Sequence, residues 1–301
     1  MEDMSNTSDE LTALEQRQQL LAHHVRLVAR KHSASLFCYG AVGGLGKSST
    51  INRVLEEEGI EPVLINSHVT GLSLFKIMYQ HRSEDVLFFD DCDSMYSSLP
   101  HLGLLRSALW TPRVVTYNTS QQLPDGIPAS FQTTARFIFA ANVLPRKNDC
   151  FNAVLSRCDI FELSASSQEV IFMMRRLAAN GYQGITPDDA ATVIDYIEEH
   201  SEDRQISLRL LGMSLRKLSY ARQEGIDWRP LIKSQLQTLG RKQEPTKRLD
   251  NKAKDLRTLQ QVLKLNPESV KDQQSDWCKA TGKSRASFYR TLSRYRSEAG
   301  Q

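Results

Sequence analysis

The chain has 301 residues, 40% hydrophobic and 24% charged, with a formal net charge of +3, enough to bury a sizeable core in two or three structural units. No apolar run reaches the roughly 18 residues of a membrane span, and the polar, acidic start MEDMSNTSDE is no signal peptide, so a soluble, cytoplasmic protein without a membrane partner is expected. The five cysteines (38, 92, 150, 158, 278) are odd in number and lack C-x-x-C spacing, which argues against a disulfide frame and against a zinc site.

In chain order, Leu11 to Ala29 has the apolar spacing of an amphipathic helix and leads into a short strand, SLFCY. A glycine-rich loop follows at once. After it come a helix (SSTINRVLEEEG), a strand (PVLIN), a helix around Leu72 to Tyr79, a strand (DVLFFDD), a helix from Leu102 to Leu109, and strands at RVVTY and ARFIFAAN. Strands alternating with helices predict an α/β unit with a parallel sheet covered on both faces. Between the last two strands, the insertion at 119–133 carries Asp-Gly and two prolines, which predicts a hairpin or a surface loop. From Ser167 onward the strand signal disappears, and helical patterns occupy 167–180, 187–200, 205–223 and 229–239. The domains predicted are therefore an N-terminal helical segment (1–30), an α/β unit (31–164), a helical unit (165–240), a polar linker containing Pro245 (241–252) and a basic helical tail (253–301).

The loop reads Ala41-Val-Gly-Gly-Leu-Gly-Lys-Ser48, which fits the phosphate-loop pattern [A/G]-x4-G-K-[S/T]. Glycines let backbone N–H groups converge on phosphate oxygens, the helix beginning near Lys47 offers its positive end, Lys47 reaches the β/γ-phosphates and Ser48 ligates Mg²⁺. The nucleotide-contacting set is then Val42, Gly43, Gly44, Leu45, Gly46, Lys47, Ser48 and Ser49, with ATP and Mg²⁺ as the ligands. A second motif, the apolar strand VLFFDD, ends in acids. Asp90 is expected in the magnesium shell, and Asp91 is expected to orient or deprotonate the attacking water. Asp91 stands where glutamate is common and is one methylene shorter, which leaves the hydrolysis rate open; Asp93 is the alternative.

The order of these parts resembles an AAA+ ATPase over residues 20–240. Asn142, ending FIFAAN, matches that superfamily's sensor 1 residue. Ser156-Arg157-Cys158 is similar to the Ser-Arg-Cys box of replication clamp loaders, whose arginine enters the neighbouring subunit's nucleotide site, and Arg209 in SLRLL looks like the sensor 2 arginine of the lid. The resemblance implies catalytic roles for Lys47, Asp91, Asn142, Arg157 and Arg209. It also implies an AAA+ core with a helical lid, and a homo-oligomer, ring or filament, with ATP sites between subunits. It does not fix the branch, since GLGKS is also similar to the Holliday-junction branch-migration motor.

Residues 241–301 hold 15 Lys and Arg against 7 Asp and Glu, a balance of +8, which leaves −5 on the rest. Within the tail, SDWCKATGKSRASFYRTLSRYR reads as a helix-turn-helix: Trp277 and Cys278 lie on the first helix, Gly282 turns, Ser284 caps, and Phe288, Leu292 and Tyr295 recur at helical spacing to form the buried face. Lys283, Arg285, Ser287, Arg290 and Arg294 fall on the other face and are the candidate contacts to double-stranded DNA. The domain order resembles initiators, branch-migration motors and mobile-element ATPases. The function expected is ATP-dependent oligomerisation on DNA in replication, recombination or transposition, as a mobile-element accessory with a replication, transposase or nuclease partner. The alternatives are an ATP-switched transcription regulator and a recruiting scaffold with little turnover.

Overall fold

The computed structural model describes residues 11–66, 68–118, 123, 126–142, 144, 149–182, 184–201, 204–239, 245–267 and 269–298, with backbone alone for 245–254, 294 and 296–298. The chain runs α1 (Ala13–Ala29), β1 (Ser35–Tyr39), α2 (Lys47–Glu57), β2 (Val63–Ile65), α3 (Gly71–Gln80), β3 (Val86–Asp90), a 3₁₀ turn (Asp93–Ser97), α4 (Leu99–Leu109), β4 (Val114–Thr116), β5 (Ser130–Gln132), β6 (Arg136–Ala141), α5 (Asp149–Leu155) and β7 (Asp159–Glu162). Helices follow: α6 (Ser167–Ala178), α7 (Pro187–Ser201), α8 (Arg209–Glu224), α9 (Arg229–Thr238), α10 (Pro245–Leu265), α11 (Val270–Thr281) and α12 (Arg285–Glu298). The chain divides into two compact units, 1–240 and 241–301.

In the first unit a five-stranded sheet has the order β2-β3-β6-β1-β7, and every pairing in it is parallel. Its central strands are near-continuous apolar runs because helices cover both faces. The period-2 alternation then sorts side chains between two cores. Leu36, Cys38, Phe88, Ile138 and Ala140 point to the face shared with α1, α2 and the later helices. Phe37, Leu87, Phe89, Phe137 and Phe139 point to the face covered by α3, α4 and α5. Burial pushes the Cys38 thiol up to about 12 and the Cys158 thiol to about 11.

Capping boxes start two of the helices on the first face: Thr12 with Glu15 for α1, and Ser166 with Glu169 for α6. Glu169 also takes a two-pronged ion pair from Arg17 of α1. That guanidinium, with the Ser166 N–H, holds its carboxyl down at about 2. The N-terminal helix is thereby tied to the first helix of the helical region, whose Val170, Met174, Val193, Ile197, Leu211, Leu215 and Ile232 extend the same core.

Two expectations are corrected. The strand RVVTY does not join the parallel sheet: β4 pairs antiparallel with β5 to form a separate two-stranded ribbon. Each of these strands is only three residues long and buries one side chain, Val115 or Phe131, so an apolar run was read without knowing its partner. The insertion at 119–133 therefore supplies β5 near its C-terminal end to this hairpin, and 119–122 and 124–125 lie outside the described residues. The linker is also shorter than expected: Pro245 stands at the first position of α10, where its missing N–H costs nothing, so 245–252 is helical and 240–244 lies outside the described residues.

The second unit, α10 to α12, packs Leu259, Val262, Trp277, Phe288 and Leu292 into its own core. Gly282 adopts φ +67° to end α11, and Trp277 Nε1 donates to the Asp255 carbonyl at 3.2 Å. The backbone carbonyl of Ser284 accepts the N–H groups of Ser287 and Phe288, while its hydroxyl meets that of Ser287 at 3.2 Å. Among the described residues, no helix is long and apolar enough to cross a membrane.

Candidate functional site

The loop between β1 and α2 sits where a phosphate loop requires it, at the C-terminal edge of the sheet's inner strands. Gly44 and Gly46 take φ +79° and +94°, which L side chains rarely adopt, and a Cβ on Gly44 would stand 2.7 Å from Arg209 Cγ. Gly46 caps α2 with no side-chain hydrogen bond, and no acid lies in that helix's first turn. The first-turn N–H groups therefore have no internal acceptor and suit an anion.

Lys47 is only 6% exposed. Its Nζ donates to the carbonyls of Gly40 (3.2 Å) and Val42 (3.4 Å) and to Asn142 Oδ1 (3.4 Å). Burial lowers its pKa below the ordinary lysine value, an effect that Cys38, Asp91 and Asp90 oppose. Three long bonds to neutral oxygens hold the ammonium in place while leaving it exchangeable to a phosphate.

Ser48 Oγ donates to Asp90 Oδ1 at 2.7 Å. Burial raises the Asp90 pKa, opposed first by that hydrogen bond. A hydroxyl and a carboxylate held together are hard oxygen donors of the kind Mg²⁺ takes beside substrate phosphates, so the residues present fit that ion. Asp91 follows with φ +54°, a left-handed conformation that aspartate and asparagine tolerate better than most residues. Its N–H donates to the Ala140 carbonyl at 3.2 Å, and its Oδ1 accepts Asn142 Nδ2 at 2.8 Å. Asn142 thus spans Lys47 and Asp91 with the two ends of one amide. The pKa of Asp93 is raised by burial and by the charge of Asp91.

Arg209 opens α8 and lies against the loop, and the neighbouring Leu208 N–H donates to the Gly44 carbonyl at 3.2 Å. The result is a cavity of about 360 Å³ lined by Gly44, Gly46, Lys47, Ser48, Ser49, Asp91, Asn142, Leu208 and Arg209. Of the other loop residues, Val42 offers its carbonyl to Lys47, Leu45 is fully buried in the core, and Gly43 lines a second cavity beside Arg209. One contact carries no sequence signal: Gln18 of α1 donates from Nε2 to the Leu45 carbonyl at 2.8 Å, and it stood only as one polar residue in an amphipathic helix.

Arg157 is not brought to this cavity. Its carbonyl accepts Ser35 Oγ at 3.1 Å, and Ser35 is the first residue of β1, whereas the phosphate loop begins after its last. Five strand residues at about 3.3 Å each place Arg157 about 16 Å down the sheet from the loop. Its guanidinium donates to the Ala153 carbonyl and stands 5.4 Å from the Trp110 ring centroid.

On the tail, Arg285 lies 5.7 Å from the ring centroid of Tyr289. Among the described residues, Arg290 makes only long bonds, to the Ala286 carbonyl (3.3 Å) and Ser287 Oγ (3.4 Å). Lys283 is ion-paired with Asp255 of α10, so its charge is partly committed within the unit, a pairing the tail sequence alone did not reveal. The side chain of Arg294 lies outside the described residues.

The parallel order β2-β3-β6-β1-β7, the glycine loop after β1 and the helical region α6–α9 match the layout of an AAA+ core plus lid. No protein-family model matches the chain. An uncharacterized 36.7 kDa protein of enterobacteria phage T4, from the nrdC-mobD intergenic region, is 28% identical over 156 residues, covering 46% of this chain and 47% of the relative. The chain thus matches about half the length of that relative. Among solved structures, the Thermotoga maritima RuvB Holliday junction branch migration motor is 15% identical with a TM-score of 0.46, over 98% of this chain and 90% of that one. NtrX from Brucella abortus in complex with ATP is 14% identical with a TM-score of 0.41, over 96% and 69%. A DNA replication initiation factor is 14% identical with a TM-score of 0.41, over 96% and 88%.

Proposed function

We propose that this chain is a Mg²⁺-dependent ATPase that oligomerises with ATP, grips duplex DNA through its tail and serves replication, recombination or transposition as an accessory of a mobile element. The observation that carries the reading is the convergence of Lys47, the Ser48–Asp90 pair, the Asp91–Asn142 pair and Arg209 on one cavity. The mobile-element setting draws its support from the phage relative. In this reading the first-turn N–H groups of α2 and Lys47 hold the β/γ-phosphates, and Ser48 and Asp90 hold the magnesium. When bound, that ion supplies charge neutralisation on the phosphoryl group. Asp91 positions the attacking water and accepts its proton, Asn142 fixes the Asp91 carboxylate, and Arg209 closes the lid over the phosphates. Arg157, too distant to act on its own nucleotide, serves a neighbouring subunit.

The test is ATP turnover by the purified chain with Mg²⁺, with and without duplex DNA. Asp91→Asn keeps the size and tolerates the same positive φ, so ATP affinity is expected to stay within a few fold while kcat drops by about 10²–10⁴. Normal turnover by this variant would transfer the water-positioning role to Asp93. A second reading, an ATP-switched DNA-binding regulator or recruiting scaffold with little turnover, is favoured by the short Asp91 carboxylate, already engaged by Asn142. DNA-stimulated hydrolysis decides between the two.

On DNA, Arg290, held only by long contacts, is expected to meet a phosphate. Arg290→Ala should flatten the slope of log affinity against log salt by about one unit. Lys283→Ala should move that slope less, because Asp255 already offsets the charge. If Arg285, near the start of α12, reads a guanine edge, its loss should cost about 1–3 kcal/mol on the preferred sequence and little on random duplex. Titrations across a salt series with each variant check all three.

A further inference from the structure

Trp110 closes α4 with its side chain in water, 61% exposed. A large indole left outside needs a reason. Leu104, Leu105 and Ala108 of α4 share one core with Phe151, Val154 and Leu155 of α5, so Trp110 and the nearby Arg157 ride on one packed support. Any approach that carries Arg157 to a phosphate on another molecule carries Trp110 with it, within about one side-chain length.

A landing place exists elsewhere on the same chain. A cavity of about 660 Å³ lies against the phosphate loop and the lid, lined in part by Gly43, Arg209, Met213, Lys217, Gln235 and Thr238. It shares Arg209 with the nucleotide cavity. Met213 is 41% exposed there, and the Lys217 ammonium, anchored on the Leu231 carbonyl and Gln235 Oε1, offers a cation to an aromatic face.

We propose that Trp110 is the anchor by which one copy of this chain docks on the next, its indole seated in the neighbour's lid cleft beside Met213 while Arg157 reaches the neighbour's phosphates. This rests on the assembly reading above. The occupant is a second copy because the two patches are complementary and lie toward opposite ends of the same strand, β1. Arg157 hangs from Ser35 at the start of β1, while the cleft borders the loop after its end. The Trp110 patch also carries Arg106 and Arg157, and the cleft adjoins a site built for a triphosphate. Two different patches on identical chains make a head-to-tail contact, which closes as a ring or continues as a filament. A central tryptophan beside an arginine is the composition of an interface hot spot.

The experiment follows the size of the full chain with Mg²⁺ and a non-hydrolysable ATP analogue by sedimentation velocity across a concentration series. Wild type is expected to assemble. Trp110→Ala and Met213→Glu should each raise the concentration needed by about 30-fold or more, with nucleotide affinity and thermal unfolding unchanged. Mixing the two variants should restore a pair, because Trp110→Ala still offers its cleft and Met213→Glu still offers its indole. Assembly of Trp110→Ala at the wild-type concentration overturns the docking and leaves the assembly reading standing, and a mixture that pairs no better than either variant alone also overturns it. If wild type stays monomeric with the analogue bound, the assembly reading fails and the docking fails with it.

Discussion

Lys47→Ala is expected to abolish tight ATP binding while leaving the fold at wild-type stability. The side chain is buried with only neutral acceptors at 3.2 and 3.4 Å, and burial disfavours its charged form. Removing it therefore relieves a desolvation cost in the free protein. In the complex the same removal takes away the one cation the loop itself offers to the phosphates and leaves them facing the Gly40 and Val42 carbonyls and Asn142 Oδ1. Losing one partner of a buried charge pair costs about 2–5 kcal/mol, or about 30- to several-thousand-fold in affinity. Thermal shift reads both halves at once. Wild type should gain about 2.7 kcal/mol of stability when ATP is present at about 100 times its Kd, and Lys47→Ala should gain less than about 1 kcal/mol at the same concentration. Lys47→Met, which preserves the packing, should behave in the same way.

The lowered pKa adds a pH signature with a definite sign. A lysine whose folded-state value lies below 10.5 loses its proton earlier as pH rises, and only the protonated form attracts phosphate. ATP affinity should therefore decline in an alkaline range below that of an ordinary lysine, and the decline should vanish in Lys47→Met. A mutant holding ATP within a few fold of wild type would overturn the phosphate-loop assignment.

Arg157→Ala is expected to bind ATP as well as wild type yet lose assembly-dependent hydrolysis by about 10³–10⁵, the range of an arginine supplied in trans. The geometry separates the two effects. Arg157 hangs from the start of β1 and the glycine loop lies beyond its end, so the intrasubunit site is untouched by the substitution. Mixed oligomers check the direction of action. A Lys47→Ala subunit cannot hold nucleotide but can lend its Arg157, and an Arg157→Ala subunit can hold nucleotide but lends nothing. Mixtures should recover part of the activity that neither variant has alone. Failure to recover it, when sizing shows that mixed oligomers form, would remove the in-trans role.

Much of the architecture was legible because each local signal had one outcome. The runs at SLFCY, VLFFD and RFIFAA are long enough and apolar enough to be inner strands of a covered sheet. The glycine loop falls between such a strand and a helix, and the helical boundaries beyond Ser167 follow the spacing of buried residues in α6 to α9. Phe288 reads as core from its spacing and is fully buried. The short runs were less legible. Val114–Thr116 has strand composition, but composition does not name a partner, and the partner turned out to be β5 rather than the parallel sheet.

By itself, then, the sequence determined which residues are candidates to carry chemistry, because glycine loops, acid-ended strands and basic helix faces are local patterns written in consecutive residues. Tertiary structure decided which of them meet. Asn142 lies 51 residues from Asp91 along the chain yet bonds to it, because β3 and β6 are paired in register so that Asp90 stands beside Ala140. Gln18 reaches the loop across 27 residues, and Lys283 is paired by an acid on a different helix. Arg157 stays away from the loop because β1 runs between its attachment at Ser35 and the loop after Tyr39. Local sequence sets conformation over a few residues, whereas strand register and helix packing set distances between segments far apart in the chain, and the site exists only at that second scale.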